Sequence, residues 1–176
     1  MLGKLNSTEI EEVLTNQIIG RIACHANDMS YIVLISYTYD GECVYARTYE
    51  GLKINLMRKN PSVCFQTDTM KNMANWRSVI AWGEFKELTE TSERNEGIQK
   101  LLARKISGIA SETVKLSPIW PFASDEYSDE IDSIIFSIRL GEKTGRFERS
   151  EINSYPGPYT TISETTFSDQ TKLIKK

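Results

Sequence analysis

A chain of 176 residues with 21 Lys+Arg against 24 Asp+Glu, a formal net charge of -3 and a hydrophobic fraction of 40% is built like one globular domain with one core. No apolar run approaches the roughly 20 residues a membrane helix needs, and Met1-Leu2-Gly3-Lys4-Leu5-Asn6 leads into glutamates rather than the apolar stretch of a secretory signal. The acidic balance argues against sequence-independent nucleic-acid binding, so the expectation is a cytoplasmic protein with no nucleic-acid and no membrane partner.

Thr8 and Glu11 fit a capping box, and Ile10, Val13, Leu14 and Ile18 recur at helical spacing, which predicts an amphipathic helix that ends before Gly20 and lids one end of a barrel. From Ile19 the period becomes two. Gly20-Arg21-Ile22-Ala23-Cys24-His25 reads as a strand, Asn27-Asp28 as a turn and Tyr31 to Tyr39 as a second strand. Asp40-Gly41 has the composition of a type I′ hairpin turn and leaves Glu42 to Thr48 as strand three. After Gly51, the residues Leu52, Ile54, Leu56 and Met57 suit a short helix stopped by Asn60-Pro61, and Val63 to Thr67 is β-rich again.

Asn75 to Phe85 reads as a long strand in which Gly83 marks a bulge or bend. Glu93 to Lys105 is helical with Ile98, Leu101 and Leu102 on one face, and Ser117-Pro118-Ile119-Trp120-Pro121-Phe122 is too broken by proline for regular structure. A last strand runs from about Ile131 to Leu140, with Ile131, Ser133, Ile135, Ser137 and Arg139 alternating against the other face. Past Arg149 the chain turns polar. The expected division is a single domain over residues 1–149 and an extended or partly disordered tail over 150–176.

Chemistry concentrates in Val44 to Lys53. A strand ending in Arg47 and Thr48, a turn through Gly51 and a helix with Lys53 in its first turn gather two cations, a hydroxyl and unpaired helix amides, which suits a phosphate monoester. The plainer reading is two solvated charges beside a turn. Cys24, Cys43 and Cys64 have neither zinc nor redox-pair spacing and read as reduced, mostly buried strand residues. His25, the one histidine, reads as a rim residue, and Trp76, Trp82 and Trp120 as core or interface aromatics.

The order of these segments resembles the flavin mononucleotide-binding split barrels typified by pyridoxamine 5′-phosphate oxidase. The likeness rests on Gly20-Arg21-Ile22-Ala23, Tyr31 to Tyr37, Tyr45-Ala46-Arg47-Thr48 with Gly51-Leu52-Lys53, Asn60 to Phe65, and Trp76-Arg77-Ser78-Val79 with Gly83. Thr144-Gly145-Arg146-Phe147-Glu148, placed after the last strand, is similar to the closing segment of the branch that holds 5-nitroimidazole-resistance proteins. The resemblance implies a mainly β fold with flanking helices, a split β-barrel of about six antiparallel strands.

It also implies a homodimer with FMN at the subunit interface, lying along Tyr31, Ile32, Val33, Leu34, Ile35 and Ser36. Ala46, Arg47, Thr48 and Lys53 would hold the phosphate end, and Trp76, Arg77 and Ser78 would approach the same flavin or its symmetry mate. The implied function is an FMN-dependent oxidoreductase, nitroreductase-like among the options, that passes electrons from a reduced nicotinamide or flavin donor to a small-molecule substrate. The alternative is a non-catalytic flavin- or haem-binding protein, haem being disfavoured by the single histidine. No catalytic acid or base and no metal site is assigned. Leu52 stands where pyridoxamine-phosphate oxidases carry a second basic residue, which argues against vitamin B6 oxidation, and Arg47 stands where nitroimidazole-resistance proteins often carry histidine.

Overall fold

The computed structural model describes residues 1–104 and 133–150. Its elements in chain order are β1 (Leu2–Lys4), α1 (Ser7–Asn16), β2 (Ile19–Ala26), β3 (Met29–Tyr39), β4 (Cys43–Tyr49), α2 (Leu52–Lys59), β5 (Ser62–Asn72), β6 (Asn75–Glu87), α3 (Thr91–Leu102) and β7 (Ser133–Arg149). The strands follow the order β1-β7-β4-β3-β2-β5-β6, and β6 also pairs with β7. Six strands therefore close into an antiparallel ring, with β1 added beside the far end of β7. The predicted Ser117–Phe122 loop, Trp120, the first two residues of the predicted last strand and the tail beyond Ser150 lie outside the described residues.

The interior is the buried face of each strand: Ile22 and Cys24, Ile35 and Tyr37, Val44 and Ala46, Val63 and Phe65, Val79 and Ala81, Phe136 and Ile138. Helix α1 closes one side with Ile10, Val13 and Leu14. Its Leu14 carbonyl accepts the buried Tyr37 hydroxyl at 2.9 Å, and burial pushes that phenol's pKa up to about 12. Tyr37 meets Phe65 edge-on at 4.9 Å. Phe65 in turn explains Gly20, where a Cβ would stand 2.5 Å from the ring.

Several local expectations shift. The capping box is Asn6–Glu9 rather than Thr8–Glu11: Glu9 N–H donates to Asn6 Oδ1 at 3.0 Å and Asn6 N–H to Glu9 Oε2 at 2.8 Å. Asparagine is among the strongest N-caps, and the earlier start leaves Ile10 and Val13 facing the barrel. Left-handed turn geometry belongs to Asn27 (φ 52°) and Asp28 (φ 59°); at the other hairpin only Gly41 is left-handed (φ 102°). Asp40 instead uses its carboxylate, accepting the amides of Glu42 and Cys43 at 3.0 and 2.7 Å, so the type I′ assignment there is corrected to an Asp-capped turn.

Gly83 does mark a register shift between β6 and β7, and a Cβ on it would lie 2.4 Å from the Arg139 carbonyl oxygen. In α3 the buried seam is Gly97 and Leu101, while Leu102 is exposed. Gly97 is the reason, because it lets the helix approach Leu88 and Ile135. Strand β7 is longer than predicted and absorbs Thr144 to Glu148. Its faces alternate as expected, Phe136 and Ile138 toward the barrel and Ile135 away from it, but burial does not, because Ile135 joins Leu88, which precedes α3, and Leu101 of α3 in a second small core. The N-terminal strand β1 has no counterpart in the sequence reading.

Candidate functional site

Strand β3 pairs with β2 over the whole of Met29–Ser36, but with β4 only through Tyr37–Tyr39. Beyond that point β4 continues along β7 as far as Tyr49↔Ser133, so the two neighbours part company and the ring is split. From Met29 to Ser36 one edge of β3 has no strand partner among the described residues. Backbone N–H and C=O groups along such an edge remain available to a ligand. Tyr31, Val33 and Ile35 turn inward, while Ile32 and Leu34 are 68% and 58% exposed.

Helix α2 packs Ile54, Leu56 and Met57 into the core beside β2, which sets its first turn over the same end of the barrel. Gly51 is its N-cap and offers no side chain to the first amides. Lys53 is half-buried and makes no hydrogen bond or ion pair among the described residues. Burial lowers its pKa, and the nearby Cys24 thiol partly offsets this. Since Cys24 is paired with Tyr31, the Lys53 charge lies at the Tyr31 end of the open edge.

Strand alternation separates the other two predicted phosphate contacts. Thr48 shares a face with the buried Val44 and Ala46, whereas Arg47 shares the opposite face with Cys43 and Tyr45 and is paired with Ile135. Thr48 Oγ1 donates to the Tyr49 carbonyl at 3.3 Å.

Trp76, Arg77 and Ser78 lie elsewhere. Arg47 is paired with Ile135 and Arg77 with Phe147 on the same strand β7, a contour of roughly 40 Å at about 3.3 Å per residue. Each of the three has a partner in its own chain: Trp76 Nε1 donates to Glu148 at 3.1 Å, Arg77 pairs with Glu12 at 3.0 Å, and Ser78 Oγ accepts from Gln66 at 3.2 Å. Trp76 and Arg77 border an open cleft of about 640 Å³ together with Met70, Lys71 and Phe147.

Between these two regions runs the outer face of the sheet. The register aligns Ile32, Ala23, Cys64 and Trp82 in one row across four strands, and Leu34, Arg21, Gln66 and Ile80 in the next. Ile19, Ile32, Leu34, Ile80 and Trp82 are all exposed there. Near the centre, Arg21 binds Asp68 at 2.9 Å and Gln66 at 3.1 Å.

One cluster beside the turn escaped the sequence reading. Arg58 Nη1 binds both carboxylate oxygens of Glu50 at 2.9 Å, while its Nε and Nη2 bind Glu87 at 2.7 and 3.0 Å. The Arg58 hydrogen bonds hold the Glu87 carboxyl below its usual range. Helix side chains lean toward the N-terminus, which is how an arginine in the last turn of α2 reaches the residue before its N-cap. Glu50 and Arg58 were a visible signal, but Glu87 joins them only through the fold.

The cysteines are free, with Cys24 and Cys43 buried and Cys64 half-buried, and burial raises all three thiols. His25 is exposed at the β2–β3 hairpin, its Nδ1 3.0 Å from Ser30 Oγ. Among the described residues no cluster of His, Cys, Asp or Glu is arranged to hold a metal, and no helix is long and apolar enough to cross a membrane.

A six-stranded antiparallel ring opened between β3 and β4, with helices at its ends, is a split β-barrel. The same fold occurs in an FAD-binding protein from Mesorhizobium loti, with TM-score 0.65 and 24% identity over 85% of this chain and 98% of that one. It occurs again in the FAD binding protein from Mycobacterium smegmatis, with TM-score 0.58 and 20% identity over 84% of this chain and 100% of that one. A family model described as pyridoxamine 5′-phosphate oxidase matches residues 6–146. An uncharacterised protein of Rhizobium meliloti (strain 1021) is 30% identical over 145 residues, 81% of this chain and 92% of its own length. The chain belongs to the pyridoxamine 5′-phosphate oxidase family.

Proposed function

We propose that this chain is a flavoprotein that binds FMN along the open edge of β3 and works as a homodimer. The observation that carries the proposal is Lys53: a half-buried ammonium with no anionic partner among the described residues, in the first turn of a helix whose N-cap lacks a side chain. Burying an unpaired charge costs stability, and such a site relaxes when an anion arrives. Lys53, Thr48 and the first amides of α2 hold the phosphate, with Ala46 and Arg47 completing the end of β4. The backbone of Tyr31, Ile32, Val33, Leu34, Ile35 and Ser36 orients the rest of the cofactor.

The second copy of the chain covers the outer face of Ile19, Ile32, Leu34, Ile80 and Trp82, an apolar area that a lone monomer would leave in water. Trp76, Arg77 and Ser78, remote from Lys53 within one chain, reach a flavin only as contributions from the partner. A bound flavin supplies two-electron redox chemistry, and the protein binds it, orients it and excludes water around it. The proposed activity takes electrons from a reduced nicotinamide or flavin donor to a small-molecule acceptor, with Arg47 or Arg77 placed to orient an anionic group. The three free thiols fit the reducing cytoplasm, and a cytoplasmic location is part of the proposal. The domain proper is residues 1–149, in keeping with the family match over 6–146.

The test is an absorption spectrum of freshly purified full-length protein, with mass spectrometry of the molecule that heat releases. A flavin spectrum, release of FMN, bleaching under NADH or NADPH and recovery with an acceptor are the expected results. Release of FAD would correct the cofactor, a flavin that no donor reduces would favour a non-catalytic binder, and a Soret band would replace flavin with haem.

A further inference from the structure

We propose that Arg58 is a positioning residue for the phosphate site, because its hydrogen bonds hold, and partly neutralise, the Glu50 carboxylate that the chain places beside the N-terminus of α2. This rests on the reading of Lys53 and the Gly51 turn as a phosphate site. Glu50 precedes the N-cap Gly51 directly and stands three residues before Lys53. An uncompensated carboxylate there would compete for the orphan amides of the first helical turn, and it would repel a phosphate monoester, which carries about -1.5 to -2 charges at neutral pH.

The geometry keeps that from happening. Arg58 Nη1 stands 2.9 Å from each Glu50 oxygen, so both acceptor atoms face the guanidinium. Its other two nitrogens are fixed by Glu87, the less exposed of the two carboxylates, at 24% against 55%. Glu87 ends β6, so the barrel itself aims the guanidinium at Glu50. Lysine has no planar fork and would not hold two carboxylates in this arrangement. Glu50 remains in the turn, and its charge is spent on Arg58 rather than on the anion site.

The experiment titrates the full chain, freed of cofactor, with FMN and with riboflavin, which lacks the phosphate. Arg58→Ala weakens FMN binding about tenfold and leaves riboflavin binding and the circular dichroism spectrum unchanged. Adding Glu50→Gln to Arg58→Ala restores FMN binding to within about twofold of the parent, because removing the Glu50 carboxylate returns the net charge beside the turn to that of the parent. Unchanged FMN binding in Arg58→Ala, equal losses for FMN and riboflavin, or no rescue by Glu50→Gln would each overturn the proposal.

Should Arg58→Ala fail to fold, the pair Glu50→Gln and Glu87→Gln, which frees the Arg58 charge, tightens FMN about threefold without changing riboflavin. FMN affinity that is equal or weaker in that pair overturns the proposal as well. Lys53→Ala, measured alongside, separates the two levels. If it leaves FMN and riboflavin affinities unchanged, the phosphate site itself is wrong and the role of Arg58 falls with it. If Lys53→Ala loses FMN selectively while Arg58→Ala does not, the site stands and only Arg58 is misassigned.

Discussion

The Gly51 turn and the β5–β6 hairpin both drew site residues from the sequence, and they are built in opposite ways. At the turn, among the described residues, Lys53 is half-buried with no partner of its own and the neighbouring edge of β3 has no strand partner. At the hairpin, Trp76, Arg77 and Ser78 are each tied to Glu148, Glu12 and Gln66. A residue that folding has already satisfied has less to gain from a ligand than one left wanting a counter-charge. On the proposed reading, the turn is the primary cofactor grip in one chain and the hairpin contributes only across a dimer.

The largest effect is expected from preventing the proposed dimer. Ile32→Glu with Leu34→Glu puts two carboxylates into the proposed apolar interface, so the protein should elute as a monomer and lose flavin affinity by about 100-fold or more. Unchanged elution with flavin retained would mean that the partner covers another face. Next in size, Lys53→Ala should weaken FMN binding about 10–100-fold while the dimer and the far-ultraviolet spectrum stay as they were.

A third prediction concerns a region satisfied within the chain, like the hairpin. Burial raises the Asp40 pKa, but hydrogen bonds from Lys100 and from the amides of Cys43 and Glu42 outweigh it and lower the value to about 2. A depressed carboxyl stabilises the fold above its ordinary pKa near 3.8, and that contribution is lost as pH falls toward 2. Acid melts should show Asp40→Asn less stable than the parent by about 1 kcal/mol near pH 6, less than the full shift would imply because solvent screens this partly exposed pair, with the gap closing as pH falls toward ~2. A gap that persists at pH ~2 would assign the loss to packing instead. Smallest of all, Arg77→Ala should cost at most about 1 kcal/mol in a chemical denaturation series, as for other exposed ion pairs. If it costs as much FMN affinity as Lys53→Ala, the contrast between the two regions fails.

Much of the barrel was legible because strands alternate and turns carry their own chemistry. Ile22 and Cys24 in β2, Tyr37 and Tyr39 in β3, and Gly83 at the bulge all signal their places by period or by lack of a side chain. What the sequence hid depends on neighbours distant in the chain. The first half of β7 is buried on both faces because α3 lies over one of them, and Gly97 rather than Leu102 sets the seam of α3 because Leu88 and Ile135 press against it. The order strand, glycine, helix, lysine was readable in the candidate site. The opposite facing of Arg47 and Thr48 follows from strand alternation and was equally open to reading, whereas the long reach between Arg47 and Arg77 and the Arg58 clamp were not, since they are fixed by pairing with β7 and by the placing of β6.

If Lys53 and the turn before it bind a flavin phosphate, as proposed, the phosphorus nucleus senses the contact. A ³¹P spectrum of the full chain loaded with FMN should show one shifted resonance that does not titrate between about pH 5 and 8, because the bound dianion is held against its free pKa of about 6, and that moves in Lys53→Ala. A resonance at the position of free FMN, titrating near pH ~6 and identical in parent and variant, would contradict it.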